Sequence, residues 1–275
     1  MHQPNGMEFA TTRLATGLRV HYVERGDQAG EAVVFLHAYV DSWFSYSRVL
    51  SLLSPEYHAF AVDQRGHGDS DKPSCCYRVD DFAADVDAFM DAVGIEEGTL
   101  VGDSSGALIA QRVALDYPRR VSRLVLMGSP ATLVNNEGII KAGEEMLAGL
   151  EDPIPPGFAR EFQESTIHHP VPEAFLSTVV SQSLKVPARV WRDYWEGVLL
   201  TVDDTARLHE IGAPTLILWG EQDAFLHREE QERRAAAIPD ATLRLYPDTG
   251  HAVAWERPEW VVRDLEAFIR EARPA

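Results

Sequence analysis

The sequence is poor in cysteine, short of positive charge and without any long apolar run. Its two cysteines, Cys75 and Cys76, are adjacent in a chain of 275 residues. Neighbouring residues rarely meet the geometry that a disulfide demands, so no stapled framework is expected. Two thiols without further ligand spacing do not suggest zinc either. No apolar run approaches the roughly 20 residues that a bilayer span needs. The amino-terminal stretch lacks a basic start followed by an apolar core, so no signal peptide is expected and a cytoplasmic location is. Lys and Arg number 25 against 43 Asp and Glu, a formal net charge of −18. That field repels phosphate backbones and anionic lipid, which argues against nucleic acid and bare membrane as partners. A small-molecule substrate remains the expected partner class, and the oligomeric state is not legible.

What the chain does have is a rhythm. Short runs of Val, Ile and Leu alternate with longer amphipathic stretches, within a composition that is 45% hydrophobic. Residues 8–24 read as two strands around a turn at Thr16-Gly17. Further strands are expected at 32–37, 58–63, 99–102, 122–129, 215–220 and 241–247. Helices are expected at 42–53, 79–94, 105–118, near 227–237 and at 258–270. Continuous apolar strands separated by helices imply an α/β fold: a mostly parallel, eight-stranded sheet covered on both faces.

Residues 131–210 break the rhythm. They read as several helices with no strand between them, jointed at prolines 153, 155, 156, 170, 172 and 187. Each proline disfavours helix through its preceding residue. The expected organisation is therefore a core of residues 1–130 and 211–275, with residues 131–210 inserted as a helical lid.

The strongest chemical signal is Gly102-Asp103-Ser104-Ser105-Gly106, at the junction of a strand and a helix. A serine on so sharp a turn stands clear of the sheet, and the flanking glycines let strand and helix approach closely. Its hydroxyl needs a base to take its proton. His251 follows a strand and the turn Asp248-Thr249-Gly250, ahead of the last helix, and is the expected base. A carboxylate must fix the tautomer of that base. Asp223, just past the strand at 215–220, is chosen over Glu221 and Asp248. No acid follows the earlier strand at Gly128-Ser129-Pro130-Ala131.

These motifs, with His37-Ala38-Tyr39, the run Asp63-Gln64-Arg65-Gly66-His67-Gly68-Asp69-Ser70, Gly220-Glu221-Gln222-Asp223 and Gly250-His251, resemble the α/β-hydrolase family with a lid after the sixth strand. The resemblance covers nearly the whole chain. It implies oxyanion-binding N–H groups on Ser105 and Tyr39, although Ala38 stands where glycine is usual and Val40 where proline is common. Asp103 stands where histidine is frequent, and is expected to hydrogen-bond a loop. The family's epoxide and haloalkane branches carry aspartate at the position of Ser104.

Substrate-facing candidates are Tyr39, Trp43, Phe44, Phe225 and Val253 from the core, with Trp191, Tyr194 and Trp195 from the insertion. They imply an apolar or aromatic substrate. The glycine-containing loop from Asp63 to Ser70, His67 included, lacks the spacing of a nucleotide loop and reads as turn-forming structure. Nothing else is expected to converge on His168 and His169 near Glu164, so neither metal nor cofactor is expected. The expected activity is hydrolysis of a carboxylic ester of a small to medium apolar substrate. A lactonase or carbon–carbon bond hydrolase with the same triad, or a hydrolase-like receptor with little turnover, are the alternatives.

Overall fold

A computed structural model describes residues 6–271. Strands β1 (Met7–Arg13), β2 (Arg19–Gly26), β3 (Ala32–Leu36), β4 (His58–Val62), β5 (Gly98–Asp103), β6 (Val121–Met127), β7 (Thr215–Gly220) and β8 (Ala241–Tyr246) form one sheet. Their spatial order is β1-β2-β4-β3-β5-β6-β7-β8. β2 pairs antiparallel with β1 and with β4; every later pairing is parallel.

The central strands β3 to β7 are buried almost throughout because both of their faces are covered, whereas β1, β2 and β8 keep exposed positions. Along β3, Val34 and Leu36 point into one core cluster, while Val33 and Phe35 point into the other. This is the two-residue period of a pleated strand with helices on each side. Helices α2 (Val79–Ala92), α3 (Ser105–Asp116) and α8 (Arg228–Ala237) cover the first face. The second is covered by α1 (Ser47–Leu52), α9 (Val253–Glu256) and α10 (Pro258–Arg270). α10 starts at Pro258, where no N–H is needed, and buries Val261, Val262, Leu265, Phe268 and Ile269 along one stripe. The segment expected as one helix at 42–53 is divided, with a tight 3₁₀ turn at Trp43–Tyr46 before α1.

Between β6 and β7 lie α4 (Glu137–Leu147), α5 (Pro156–Ser165), α6 (Glu173–Ser183) and α7 (Ala188–Tyr194), followed by a π-type turn at Trp195–Leu199. Prolines stand at or just before the starts of α5, α6 and α7. Their apolar side chains, Leu147, Ala159, Val180 and Trp191 among them, join the cluster that α2 and α3 pack against. An isolated bridge between Thr132 and Asp203 closes the base of the insertion.

One expectation is corrected. Cys75 and Cys76 are joined to each other as a vicinal disulfide. Cys76 takes the left-handed φ of 72°. Among the described residues, no helix is long and apolar enough to cross a membrane.

Candidate active site

The site grows from the end of β5. Ser104 has φ 50° and ψ −115°, a conformation that non-glycine residues rarely adopt. Its N–H is held by the Met127 carbonyl at 2.8 Å, which ties the turn to the neighbouring strand. Glycine on both sides is a steric requirement. A Cβ on Gly102 would lie 2.5 Å from Ala107 Cα, and one on Gly106 would lie 2.2 Å from the Leu36 carbonyl oxygen.

His251 and Asp223 arrive on loops after β8 and β7. His251 Nε2 lies 2.9 Å from Ser104 Oγ, and His251 Nδ1 lies 2.8 Å from Asp223 Oδ2. A neutral ring protonated on Nδ1 donates to Asp223 and accepts the Ser104 hydroxyl proton. The second Asp223 oxygen accepts the N–H groups of Phe225 (2.8 Å) and Leu226 (3.2 Å), so the carboxylate is aimed and fully engaged. Burial works to lower the pKa of His251. The charge and hydrogen bond of Asp223, joined by the charges of Asp103 and Asp41, outweigh burial and hold it above the ordinary histidine value.

The loop of His251 is anchored on both sides. Ala252 N–H donates to the Thr166 carbonyl at 3.0 Å. Gly250 N–H donates to the Glu256 carboxylate, at 3.0 and 3.1 Å from its two oxygens. The same carboxylate accepts the N–H groups of His168 and His169, each at 3.0 Å. Glu256 is thus a shared acceptor between the loop of His251 and the segment that carries His168 and His169. Sequence reasoning missed it; its place five residues beyond His251 was the only signal.

Above Ser104 lies a cavity of about 200 Å³. Its lining includes Ala38, Tyr39, Leu133, Ile139, Met146, Phe162, Trp195, Phe225, Leu226 and Trp255, with Ser104 and His251 at the floor. Of the expected substrate-facing residues, Tyr39, Trp195 and Phe225 line it. Trp43, Phe44, Trp191, Tyr194 and Val253 do not. Trp43 packs edge-on against Phe9, and Phe44 stacks on Phe175. Trp191 is wedged among Tyr39, Phe158 and Phe162. Tyr194 donates its hydroxyl to Ser105 Oγ at 2.9 Å and meets Phe82 edge-on. Val253 is buried in α9. Aromatics at helical spacing in the insertion mostly bind it to the core, and only the outermost of the three, Trp195, faces the cavity. Gly143 makes room for it: a Cβ there would lie 1.8 Å from the Trp195 indole.

Ser105 opens α3, where the first N–H groups have no helical acceptor. Tyr39 sits on the loop after β3, beside Val40 at φ 56°. Its hydroxyl donates to the Trp191 carbonyl at 2.6 Å. His37 braces this loop: its Nδ1 lies 2.8 Å from the Ala38 carbonyl oxygen, and its Nε2 accepts the Gln64 N–H at 3.1 Å. The Asp63–Ser70 loop is a turn built on Asp63, which accepts the N–H groups of Trp43 and Asp69. Burial drives the His67 pKa down to about 3, so that ring is neutral.

Two further carboxyls line the cavity. Asp41 is 1% exposed, and one of its oxygens accepts from Gln163 Nε2 at 2.8 Å. Asp103 is 3% exposed, and its Oδ1 has no hydrogen-bond partner among the described residues, so the expectation that it ties down a loop does not describe that oxygen. Burial pushes both pKa values up to about 7; the charge of Asp103 adds to the effect at Asp41, and that of Asp223 to the effect at Asp103. On the surface, Asp248 converges on His168 and His169, all three offering ligand atoms within 4.8 Å of one another, where no third group had been expected. His168 Nε2 lies 3.2 Å from Asp248 Oδ1, and His169 Nε2 pairs with the other oxygen.

Residues 31–258 match a family model described as alpha/beta hydrolase fold. The "2-hydroxy-6-oxononadienedioate/2-hydroxy-6-oxononatrienedioate hydrolase 2" of Pseudomonas putida is 31% identical over 279 residues, covering 92% of this chain and 92% of that protein. "Epoxide hydrolase 4" of Mus musculus is 26% identical over 287 residues, covering 93% of this chain and 77% of the relative. Among solved structures, a putative aryl esterase from Burkholderia cenocepacia superimposes with a TM-score of 0.85 at 24% identity, covering 96% of this chain and 98% of that one, a likeness of fold.

Proposed function

The chain belongs to the alpha/beta hydrolase fold family, and from that membership we propose that it is a serine hydrolase cleaving a carboxylic ester of a small to medium apolar substrate through an acyl-enzyme. The single observation that carries this reading is the unbroken relay from Ser104 Oγ through His251 to Asp223, at 2.9 and 2.8 Å.

In this reading the Ser104 oxygen adds to the substrate carbonyl carbon as its proton passes to His251 Nε2. Asp223 stabilises the imidazolium. The carbonyl oxygen, now an anion, is held by the N–H groups of Ser105 and Tyr39, each worth about 3 kcal/mol of barrier. His251 returns the proton to the departing alkoxide, which leaves as the alcohol. Water then adds to the acyl-enzyme by the same proton route, and the acid leaves. No step calls for a cofactor. The helices of residues 131–210, set between a core of 1–130 and 211–275, act as the lid that roofs the cavity and keeps bulk water from it. A lactone is the cyclic case of the same chemistry.

The two relatives' names suggest other bonds. Ser104 stands where the family's epoxide branch carries aspartate, which disfavours the epoxide reaction. The Pseudomonas relative is named for a dioate, a dianion. Among the described residues no Lys or Arg lines the cavity, while two carboxyls do, an environment hostile to a dianion. An ester without negative charge suits it better.

Intact mass after treatment with a fluorophosphonate probe tests the assignment. One adduct is expected on the wild type and none on Ser104→Ala; a labelled alanine variant sinks it. Multiple turnovers on an ester panel, rather than one burst, separate the enzyme from a hydrolase-like receptor.

A further inference from the structure

The cavity contains a contradiction in its chemistry. Apolar side chains make up most of its wall, yet Asp41 and Asp103 both line it beside Ser104, and among the described residues no Lys or Arg does. Asp223 shows what a settled carboxylate looks like here: its oxygens are taken by His251 and by two backbone N–H groups. Asp103 differs, because Oδ1 is buried without a partner among the described residues. A buried polar atom left open in this way costs stability unless something else completes it. Asp41 is held in place rather than neutralised. Gln163 donates one amide hydrogen to it and another to Ser183 Oγ (2.9 Å), so the amide orients the carboxyl and adds no positive charge.

We propose that Asp41 and Asp103 form a cation-recognising subsite beside the nucleophile, and that the ester cleaved carries a protonated amine on an otherwise apolar body. The inference rests on the serine-hydrolase reading and adds the substrate class to it. An ammonium bearing N–H groups supplies a positive charge that the cavity wall lacks and, once the Asp103 carboxyl turns about its side-chain bonds, the donor that its buried Oδ1 lacks. The apolar wall packs the remainder of the substrate. Burial raises the pKa values of both acids to about 7 against the opposing charge of His251, and a bound ammonium would lower them further toward the ordinary carboxylate value. The net charge of −18 favours the approach of such a substrate over that of an anion.

Two isosteric esters test this, 2-(dimethylamino)ethyl butanoate and 3-methylbutyl butanoate, which differ in an ammonium nitrogen against a CH. The ratio of their kcat/KM values is measured at pH 7.5 for the wild type, D41N, D103N and the double variant. The ratio cancels any general loss of activity. It is expected to favour the amine ester in the wild type and to fall about ten-fold in the double variant, the worth of a charge-assisted hydrogen bond, mostly through KM. An equal ratio in wild type and variants overturns the proposal.

Because the substituted proteins can fail to fold, inhibition of the wild type supplies a second measurement. Cyclohexylammonium is expected to inhibit at least about ten-fold better than cyclohexanol; equal or weaker inhibition overturns the subsite. Ser104→Ala separates the two ideas. Failure of the triad reading leaves that variant active on both esters, whereas failure of the subsite leaves both esters cleaved by the wild type without preference.

Discussion

Ser104 and His251, the proposed nucleophile and base, are held in different ways. The turn at Ser104 is fixed by its own β-strand and helix: Gly102 and Gly106 admit the close contact, and β6 supplies one carbonyl. The loop of His251 is fixed from a distance. Thr166 holds Ala252, and Glu256 gathers Gly250 together with His168 and His169 from the insertion. The nucleophile's geometry is therefore a local property, and the base's geometry a tertiary one. Damage to the first should appear as lost folding, and damage to the second as lost turnover.

Gly106→Ala is the heaviest blow to the local side. Its Cβ would meet two backbone carbonyl oxygens, at 2.2 and 2.5 Å, and neither can move without shifting β3. A loss of at least about 3 kcal/mol in urea unfolding is expected; a variant as stable as the wild type would break the comparison. On the tertiary side, Glu256→Ala leaves three N–H groups without their acceptor. A fall of about 10² in kcat with KM nearly constant is expected, because a misplaced base costs rate rather than binding. Glu256→Gln keeps one carbonyl acceptor and should recover part of the rate, which a purely structural role would not separate from the melting temperature.

The smallest effect concerns pH. The charge of Asp103 is among those that raise the His251 pKa. Removing it in Asp103→Asn lowers that pKa, so His251 stays neutral and active to lower pH. The acid limb of kcat/KM should move down by less than about one unit. A limb that stays still, or moves up, would show that Asp103 does not act on the base.

The same division explains what could be read in advance. The central strands were legible as apolar runs bounded by turn residues and β2 by its alternation, and the elbow because Gly102, Ser104 and Gly106 stand two apart in sequence. His251 and Asp223 were legible as singular residues just past predicted strands. Asp41 and Gln163 were not: they lie 122 positions apart and meet only when α5 docks over the loop after β3. Trp191 and Tyr194 misled for a related reason. A helix carrying aromatics on one face looks the same whether that face meets a ligand or the protein's own core. Cys75 and Cys76 pair where Cys76 takes a left-handed backbone conformation, which no spacing rule reports.

The anchoring of His251 on both sides limits how a substrate can enter. If residues 166–169 swung outward, they would pull away the supports of Ala252 and Gly250 and unhook the base as they opened the way. These residues belong to the door frame. The rest of the wall is held differently: α4, which brings Ile139, Gly143 and Met146 to the same cavity, rests on side-chain packing, with Gly143 set against the Trp195 indole.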